Sequence, residues 1–579
     1  MNKLLSLMFK NRGYSSNFFD EIQKLGHPLP SHIDEMCEVL KGHHDAGDRI
    51  ALYTDFDMDG LMCGVIGFAG MAELGFNVSL VMPDVSGGYG IPAGAIDKIV
   101  SDYPGTKVIV TADVGITAFD AVNRANALGL DVLITDHHVP ASSLPNAHVI
   151  VDPSQSGDSS YSDICGAHVI YLVLRRYAEL YGGANSGFLL EQIDRLRVFA
   201  GFGTVSDNMP VWYENRPLLR DAVSICRYVY GSGDDTSATE IPGCDIYRRA
   251  FRGLYLMLKS FADEKHANIN SANEDFFGFY VAPTFNSIKR MNADVALAYN
   301  VFFGSAEAAE TSMAQLMALN EARKKMVEDV YNDMMNSVQP WKPYVYVADT
   351  VPGLCGLLAQ RCLSSTGIPS LVVISMEDGY HGSGRSPAWY PFLHFANNKG
   401  PWEARGHEAA FGIYFASEAD IDTYVDFIKK EIDDHQPAAG SGIQPDFTIS
   451  TNGDGDVDID IDLFTDFLNE LEICRPFGPG FERPSVMLRF RPAEAVWSLF
   501  GTDKQHVRAS LPKGLQLVCF RQGSMFNGRI DPKFMPSVID VPGTISLNEF
   551  AGQTSVQFMG ELPASACASE EMAYADIFD

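Results

Sequence analysis

The sequence predicts an α/β protein. A parallel-sheet domain comes first, a smaller second α/β domain follows across a long helix, and a small β-barrel closes the chain. Three observations carry this. Apolar runs rich in Val and Ile recur at 50–54, 77–82, 108–113, 132–136 and 149–153, separated by helical stretches, as buried parallel strands do. A second set of such runs begins near Pro343, after a long polar helical pattern. From about Val486 onward the pattern is mostly short strands and turns.

Taken in order, residues 1–48 read as helical and amphipathic, with Phe18, Phe19, Ile22 and Leu25 at helical spacing, and lead into the first strand. Residues 61–75 form a helix of small residues suited to close packing on a sheet. The strand 77–82, the flexible turn 87–92, the helix 93–101, the strand at 108–113, the helix 118–128 and the strands at 132–136 and 149–153 repeat β-α-β, the order a doubly wound sheet requires. Helices are expected over 165–177 and 189–202, the second followed by a turn bearing Asp207. Residues 231–240 read as a linker, 306–336 as a spacer helix, 344–348 and 371–374 as strands, and 436–445 as another boundary. The acids of 454–462 alternate at period two and read as an exposed strand face; calcium binding there is the lesser alternative.

At 579 residues the chain is too long for one core. It carries 46% hydrophobic and 20% charged residues, as globular proteins do. It has no apolar run of about 18 residues, so no membrane span is expected. Residues 1–10 have too short an apolar core for a signal peptide. The ten cysteines are scattered without a Cys-x-x-Cys pair, which fits reduced thiols better than a disulfide frame or a zinc site. A net charge of −31 excludes adhesion to nucleic acid by the whole surface, though not by a local basic groove.

The functional signal lies where the strands end. The first stops on Asp55, Asp57 and Asp59 before Gly60, the next on Asp113, and a third on Asp136, His137 and His138. An open parallel sheet places its crevice at the carboxyl ends of its strands. These groups would therefore meet on one rim as a metal site. The first three acids copy half of a calcium loop, but Ile66 stands where that loop needs a bidentate Glu. Helix capping would explain one acid, not five with two imidazoles. Carboxylates mixed with imidazoles suit Mn2+ or Mg2+, with Mn2+ favoured.

These residues resemble the DHH phosphoesterase family, and within it the RecJ-type single-strand exonucleases. The motifs DFDMDG at 55–60, TADVGIT at 111–117, TDHH at 135–138 and GTVSDNMP at 203–210 fall in the family's order. GLCGLLAQR at 353–361, HGSGRS at 381–386 and RGHEAAFG at 405–412 resemble the companion DHHA1 domain. PFGPGFERP at 476–484 resembles the join to an OB-like nucleic-acid-binding barrel. The resemblance implies a DHH catalytic domain over 1–235, a helical connector over 236–340, a DHHA1 domain over 341–435, and a linker with the OB-like domain over 436–579.

It further implies two divalent cations, Mn2+ preferred or Mg2+. Asp57 would serve one; Asp59, His137 and Asp207 the other; Asp113 would bridge both, with Asp55 in support. Asp136 would orient the first imidazole, while His138 and His407 would contact the reacting phosphate. Ser383 and Arg385 would clamp phosphate, with Asn286, Arg290 and Gly406 also binding substrate. The implied activity is hydrolysis of single-stranded DNA from the 5′ end to mononucleotides, in DNA repair or recombination. The implied setting is a monomer in the bacterial cytoplasm, of cellular or phage origin, with a helicase or single-strand-binding protein as partner by family analogy.

The chain also departs from the family. Tyr53 replaces a His of relatives, the 83–90 turn lacks their Arg, Thr284 replaces another Arg, and Arg405 replaces a Gly. The departures near the 5′-end pocket motivate an alternative, a phosphodiesterase for short RNA or cyclic dinucleotides, which would not need the barrel. An inactive DHH scaffold in a replication or repair complex is the alternative of another class; the retained acids and both His residues oppose it.

Overall fold

The computed structural model describes residues 2–15, 17–84, 90–155, 163–232, 243–435, 445–451, 453–526, 530–550, 553–563 and 566. The expected turn at 87–92 and the linkers at 231–240 and 436–445 fall largely outside these. The chain divides into two compact units, one of residues 25–438 and one of residues 1–24 with 439–579.

In the larger unit, β1 (Arg49–Thr54), β2 (Asn77–Val81), β3 (Thr106–Ala112), β4 (Asp131–Thr135) and β5 (Val149–Val151) are all parallel, in the order β2-β1-β3-β4-β5. Alternate strand residues point to opposite faces. Ala51, Tyr53, Ile109, Val132 and Ile134 meet Ile96, Ile99 and Val122 of the helices Ala93–Asp102 and Phe119–Ala127. The other face carries the helix Met58–Glu73, which sits close because Gly67 leaves room for Leu52; an added Cβ would lie 2.6 Å from its Cδ2. The strand order reverses between β1 and β3, the switch point where such sheets bind ligands.

The helix Ala306–Asn336, capped by Ser305, buries Met313, Leu316, Met317 and Asn320, so it packs rather than merely spacing. A second sheet follows: β6 (Val345–Val347), β7 (Ser370–Met376), β8 (Gly379–Arg385), β9 (Trp402–Gly406) and β10 (Ala410–Phe415), in the order β6-β7-β8-β10-β9. Only β6 and β7 pair in parallel.

The smaller unit is an eight-stranded sheet built from strands between Phe447 and Gly560. Two expectations fail here. Residues 454–462 do not form one exposed strand. Only Val457–Asp458 pairs as a strand, and Asp460 accepts the Leu463 N–H to cap the helix Ile461–Cys474; an acid before an apolar-periodic run is a cap signal. Nor does the N-terminal segment belong with β1. The helix Lys3–Asn11 packs on this unit, Arg12 pairs bidentately with Asp446, and Phe9, Phe18 and Phe19 cluster around Phe481. The described cysteines are free thiols. Among the described residues no helix is long and apolar enough to cross a membrane.

Candidate metal centre

Three strand ends and one helix end deliver the site. Asp55, Asp57 and Asp59 follow β1, Asp113 follows β3, Asp136 to His138 follow β4, and Asp207 caps the helix Arg197–Ser206. Asp57 itself N-caps the helix Met58–Glu73, accepting the Gly60 N–H. Asp113 holds a left-handed φ of 63°, a conformation costly for a residue with a Cβ and concentrated at functional sites. Asp59 accepts the Gly166 and Ala167 N–H groups at 2.7 and 3.2 Å, at the N-terminus of the helix Gly166–Tyr181, where the helix dipole favours negative charge.

Three groups of ligand atoms converge: Asp59, His137 and Asp207; Asp113, His137 and His138; Asp55, Asp57 and Asp113. His137 Nε2 lies 3.1 Å from Asp113 Oδ1, 3.4 Å from Asp207 Oδ2 and 3.8 Å from Asp59 Oδ2. Asp55 Oδ2, Asp113 Oδ1 and His137 Nε2 are buried without a hydrogen-bond partner. Such orphaned atoms are rare in native interiors. Their chemistry, carboxylate oxygen and imidazole nitrogen, is that of a divalent-cation ligand set.

The electrostatics agree. Burial, followed by the charges of Asp59, Asp57, Asp55 and Asp207, pushes the Asp113 carboxyl far above its ordinary range. Burial and the neighbouring Asp57 raise Asp55 to about 7. Burial and Asp207 raise Asp59 to about 6. Without a cation these acids cannot all ionise together. Burial works against ionisation of Asp57, yet the Lys289 ammonium outweighs it and holds that carboxyl below its usual value.

Three arginines gather beside the acids, Arg290 within reach of the Asp57 charge and Arg323 and Arg385 within reach of Arg290. Arg290 is pushed down to about 10 by burial and then by the charges of Arg323 and Arg385. Among the described residues Arg385 bonds only the carbonyl of the preceding Gly384, and Arg323 bonds the Asn320 amide oxygen. None of the three guanidinium groups forms an ion pair among the described residues, although the chain is strongly acidic. The glycines of 353–361 let them approach: a Cβ on Gly353 would lie 2.5 Å from the Arg290 carbonyl oxygen, and one on Gly356 2.7 Å from an Arg385 guanidinium nitrogen.

Residues 49–192 match the family model described as DHH family, N-terminal domain, and residues 454–561 match RecJ OB domain. Residues 49–192 therefore form a domain of the DHH family. It is 26% identical over 564 residues to the single-stranded-DNA-specific exonuclease RecJ of Bacillus subtilis, covering 94% of this chain and 64% of that relative. The RecJ of Thermus thermophilus is 24% identical over 537 residues, 91% of this chain and 70% of that one. A crystal structure of RecJ in complex with Mn2+ from Thermus thermophilus superposes with a TM-score of 0.71 at 20% identity, over 97% of this chain and 75% of that chain. A structure of exonuclease RecJ bound to manganese gives 0.54 at 22% identity over 70% of this chain and 96% of that one. These two likenesses establish the fold. The chain thus spans just under two thirds of the Bacillus relative's length.

Within this DHH site the structure redistributes some expected parts. Asp136 was expected to orient the first imidazole, but its carboxylate takes the ring Nδ1 of His138 at 2.8 Å and only the backbone N–H of His137. Burial works to lower His138, but Asp136, with the charges of Asp207 and Asp57, outweighs it and raises that imidazole to about 9. Asn286 ties loops together: its Oδ1 accepts the Met58 N–H and its amide donates to Ser206 Oγ. Ser383 lies on β8 opposite Val372 and Gly412. His407 is exposed beside Gly406; burial raises the Asp207 carboxyl above its ordinary range, opposed first by His137 and least by His407, which places His407 near that acid.

Sequence reasoning missed Lys289 and Arg323. Lys289 was hidden in a segment read only for the residues beside it. Arg323 was hidden in a helix read as a spacer; the buried Asn320 three residues before it was the available signal.

Proposed function

We propose that this chain is a metal-dependent nuclease that hydrolyses single-stranded DNA from the 5′ end to mononucleotides. The observation that carries it is the convergence of Asp55, Asp57, Asp59, Asp113, His137 and Asp207 around buried atoms without hydrogen-bond partners, beside arginines that form no ion pair among the described residues. The relatives' names supply the substrate. Asp59, Asp113, His137 and Asp207 would hold one cation; Asp57 and Asp113, with Asp55 in support, would hold a second. Bound divalent cations supply Lewis-acid activation of water and charge stabilisation for displacement at phosphorus.

The chain's own residues do the rest. Asp136 fixes His138 as a cationic donor toward the scissile phosphate, and His407 approaches the same phosphate from the facing domain. Arg385, Arg290 and Ser383 bind backbone phosphates, guanidinium groups being matched to phosphate oxygens. Asn286 holds the Asp57 and Asp207 loops in register.

In the smaller unit, Arg508 stacks over Phe500 at 4.6 Å, beside His506 and the exposed Phe520. This is a stacking surface for bases of a single strand. Phe490, by contrast, is core, and Arg489 is paired with Asp540. We further propose residues 341–435 as the companion DHHA1 domain, the cytoplasm as the setting, a monomer as the working state, and a helicase or single-strand-binding protein as partner.

The test is a 5′-phosphorylated oligonucleotide labelled at either end, in Mn2+ and then Mg2+, with Asp113→Ala beside the unmodified chain. Immediate release of the 5′ label as mononucleotide, abolished by the substitution, is the expected result. Survival of long strands with cleavage of dinucleotides would replace the substrate while leaving the metal chemistry.

A further inference from the structure

The two poles of the centre are not equivalent. Lys289 extends from the short helix Ser287–Met291 with its Nζ 3.1 Å from Asp57 Oδ2 and 3.6 Å from Asp55 Oδ2. Its Nζ stands 5.2 Å from the centroid of the Phe56 ring, a cation–π contact that helps keep it there. It therefore sits against two of the three acids that form the Asp55–Asp57–Asp113 group. Among the described residues no lysine or arginine pairs with Asp59 or Asp207 at the opposite pole; the groups near it are imidazoles, His137 within 4 Å of both acids and His138 and His407 acting on Asp207 from further off.

We infer that Lys289 is a built-in competitor for one cation: its ammonium holds the Asp55–Asp57 pole until a divalent ion displaces it, so the two positions fill in order, Asp59–His137–Asp207 first. The inference rests on the metal-centre reading above and adds an order of occupancy to it. An ammonium and a divalent cation repel, so each weakens the other's hold on the same carboxylates. The first pole needs no such exchange, because among the described residues no lysine or arginine holds its ligand atoms. At the second, entry of the ion requires Nζ to leave. The exchange is open to it: the Lys289 side chain is 38% exposed, and a four-carbon stem lets a strongly hydrated ammonium swing into water without unpacking the core. The lysine thus keeps the acids compensated before the second ion arrives and makes that ion's binding weaker than the first.

The test is the stoichiometry and affinity of Mn2+ on the full chain without DNA, by isothermal titration calorimetry with electron paramagnetic resonance to count bound ions. The unmodified chain is compared with Lys289→Met, which keeps the stem and removes the charge, with Lys289→Gln as a second neutral variant should the first misfold by circular dichroism, and with Lys289→Arg. The expected result is one tight ion in the unmodified chain and a second at least tenfold weaker. The neutral variants tighten the second ion at least tenfold and leave the first unchanged, while Lys289→Arg behaves as the unmodified chain. Isotherms of the neutral variants that superpose on the unmodified chain's would overturn the inference, as would two equal ions in the unmodified chain. Absence of tight Mn2+ from every protein tested would instead overturn the metal-centre reading, and the order of filling with it.

Discussion

Replacing Asp113 by Asn separates the cost of the metal-free site from the gain of loading it. Asp55, Asp59 and Asp113 all have folded-state pKa values above those of free carboxyls. The metal-free fold therefore holds protons that the unfolded chain has already released. Stability from these groups is complete below about pH 4, the unfolded value, and is lost as pH rises toward 7. At about 1.4 kcal/mol per pH unit, moving Asp55 from 3.8 to about 7 corresponds to about 4 kcal/mol, and Asp59 adds to it less than independently because the acids interact. A unit of about 400 residues loses entropy of about 0.9 kcal/mol per degree on folding, so about 4 kcal/mol is about 5 °C in Tm.

Asp113→Asn keeps the shape, removes the acid common to two of the ligand groups, and relieves its neighbours. In the absence of metal, the Tm of the unmodified chain should fall by several degrees between pH 5 and pH 8, and that of the variant by less. The general repulsion of a chain of net charge −31 is nearly common to both proteins and drops out of the difference. Mn2+ at a hundredfold excess over its Kd should return about 2.7 kcal/mol to the unmodified chain, about 3 °C, and little to the variant. Differential scanning fluorimetry across pH, with and without Mn2+, reads all four states. A metal-free Tm that is flat or rises from pH 5 to 8 in the unmodified chain would refute the reasoning, as would an equal response to Mn2+ in both proteins.

Two further substitutions probe the surroundings. Gly203→Ala removes no ligand, but its Cβ would lie 2.0 Å from Asp59 Oδ1; calorimetry should show Mn2+ affinity down at least tenfold, with about 1–3 kcal/mol of overpacking cost, and an unchanged affinity would mean that the carboxylate does not need its present seat. Arg323→Ala should leave Mn2+ binding intact yet weaken single-stranded DNA in Ca2+, lowering the slope of log K against log salt by about 0.7, one phosphate contact; anisotropy at several salt concentrations measures this, and an unaltered slope would remove Arg323 from the phosphate contacts.

Much of the centre was legible because its signals are local. A strand declares itself by composition within five or six residues, and an acid directly after it must emerge at the carboxyl edge. Asp55, Asp57, Asp59, Asp113 and the Asp136–His138 run could therefore be placed on one rim from the sequence, and the family motifs added Asp207. The parallel order of the first sheet follows from the same alternation. The residues that complete the site are different in kind. Nothing near Lys289 in the chain shows that it reaches Asp57, more than two hundred positions earlier. Asn286 ties its segment to the loops bearing Asp57 and Asp207. Arg323 meets Arg290 through the packing of a long helix, and an amphipathic pattern says that a helix packs, not on what.

The same limit explains the misplaced ends. The N-terminal helix carries an apolar face that any core could have covered, and the aromatic cluster around Phe481 and the Arg12–Asp446 pair fix the C-terminal unit as the one that does. Asp136 could have served either imidazole, and backbone direction after β4 gave it His138. The sequence by itself determined which groups stand at the strand ends, because side-chain period and residue type are properties of a few neighbouring residues. Tertiary structure alone decided which cations face those acids, because long-range contacts depend on how separate elements pack.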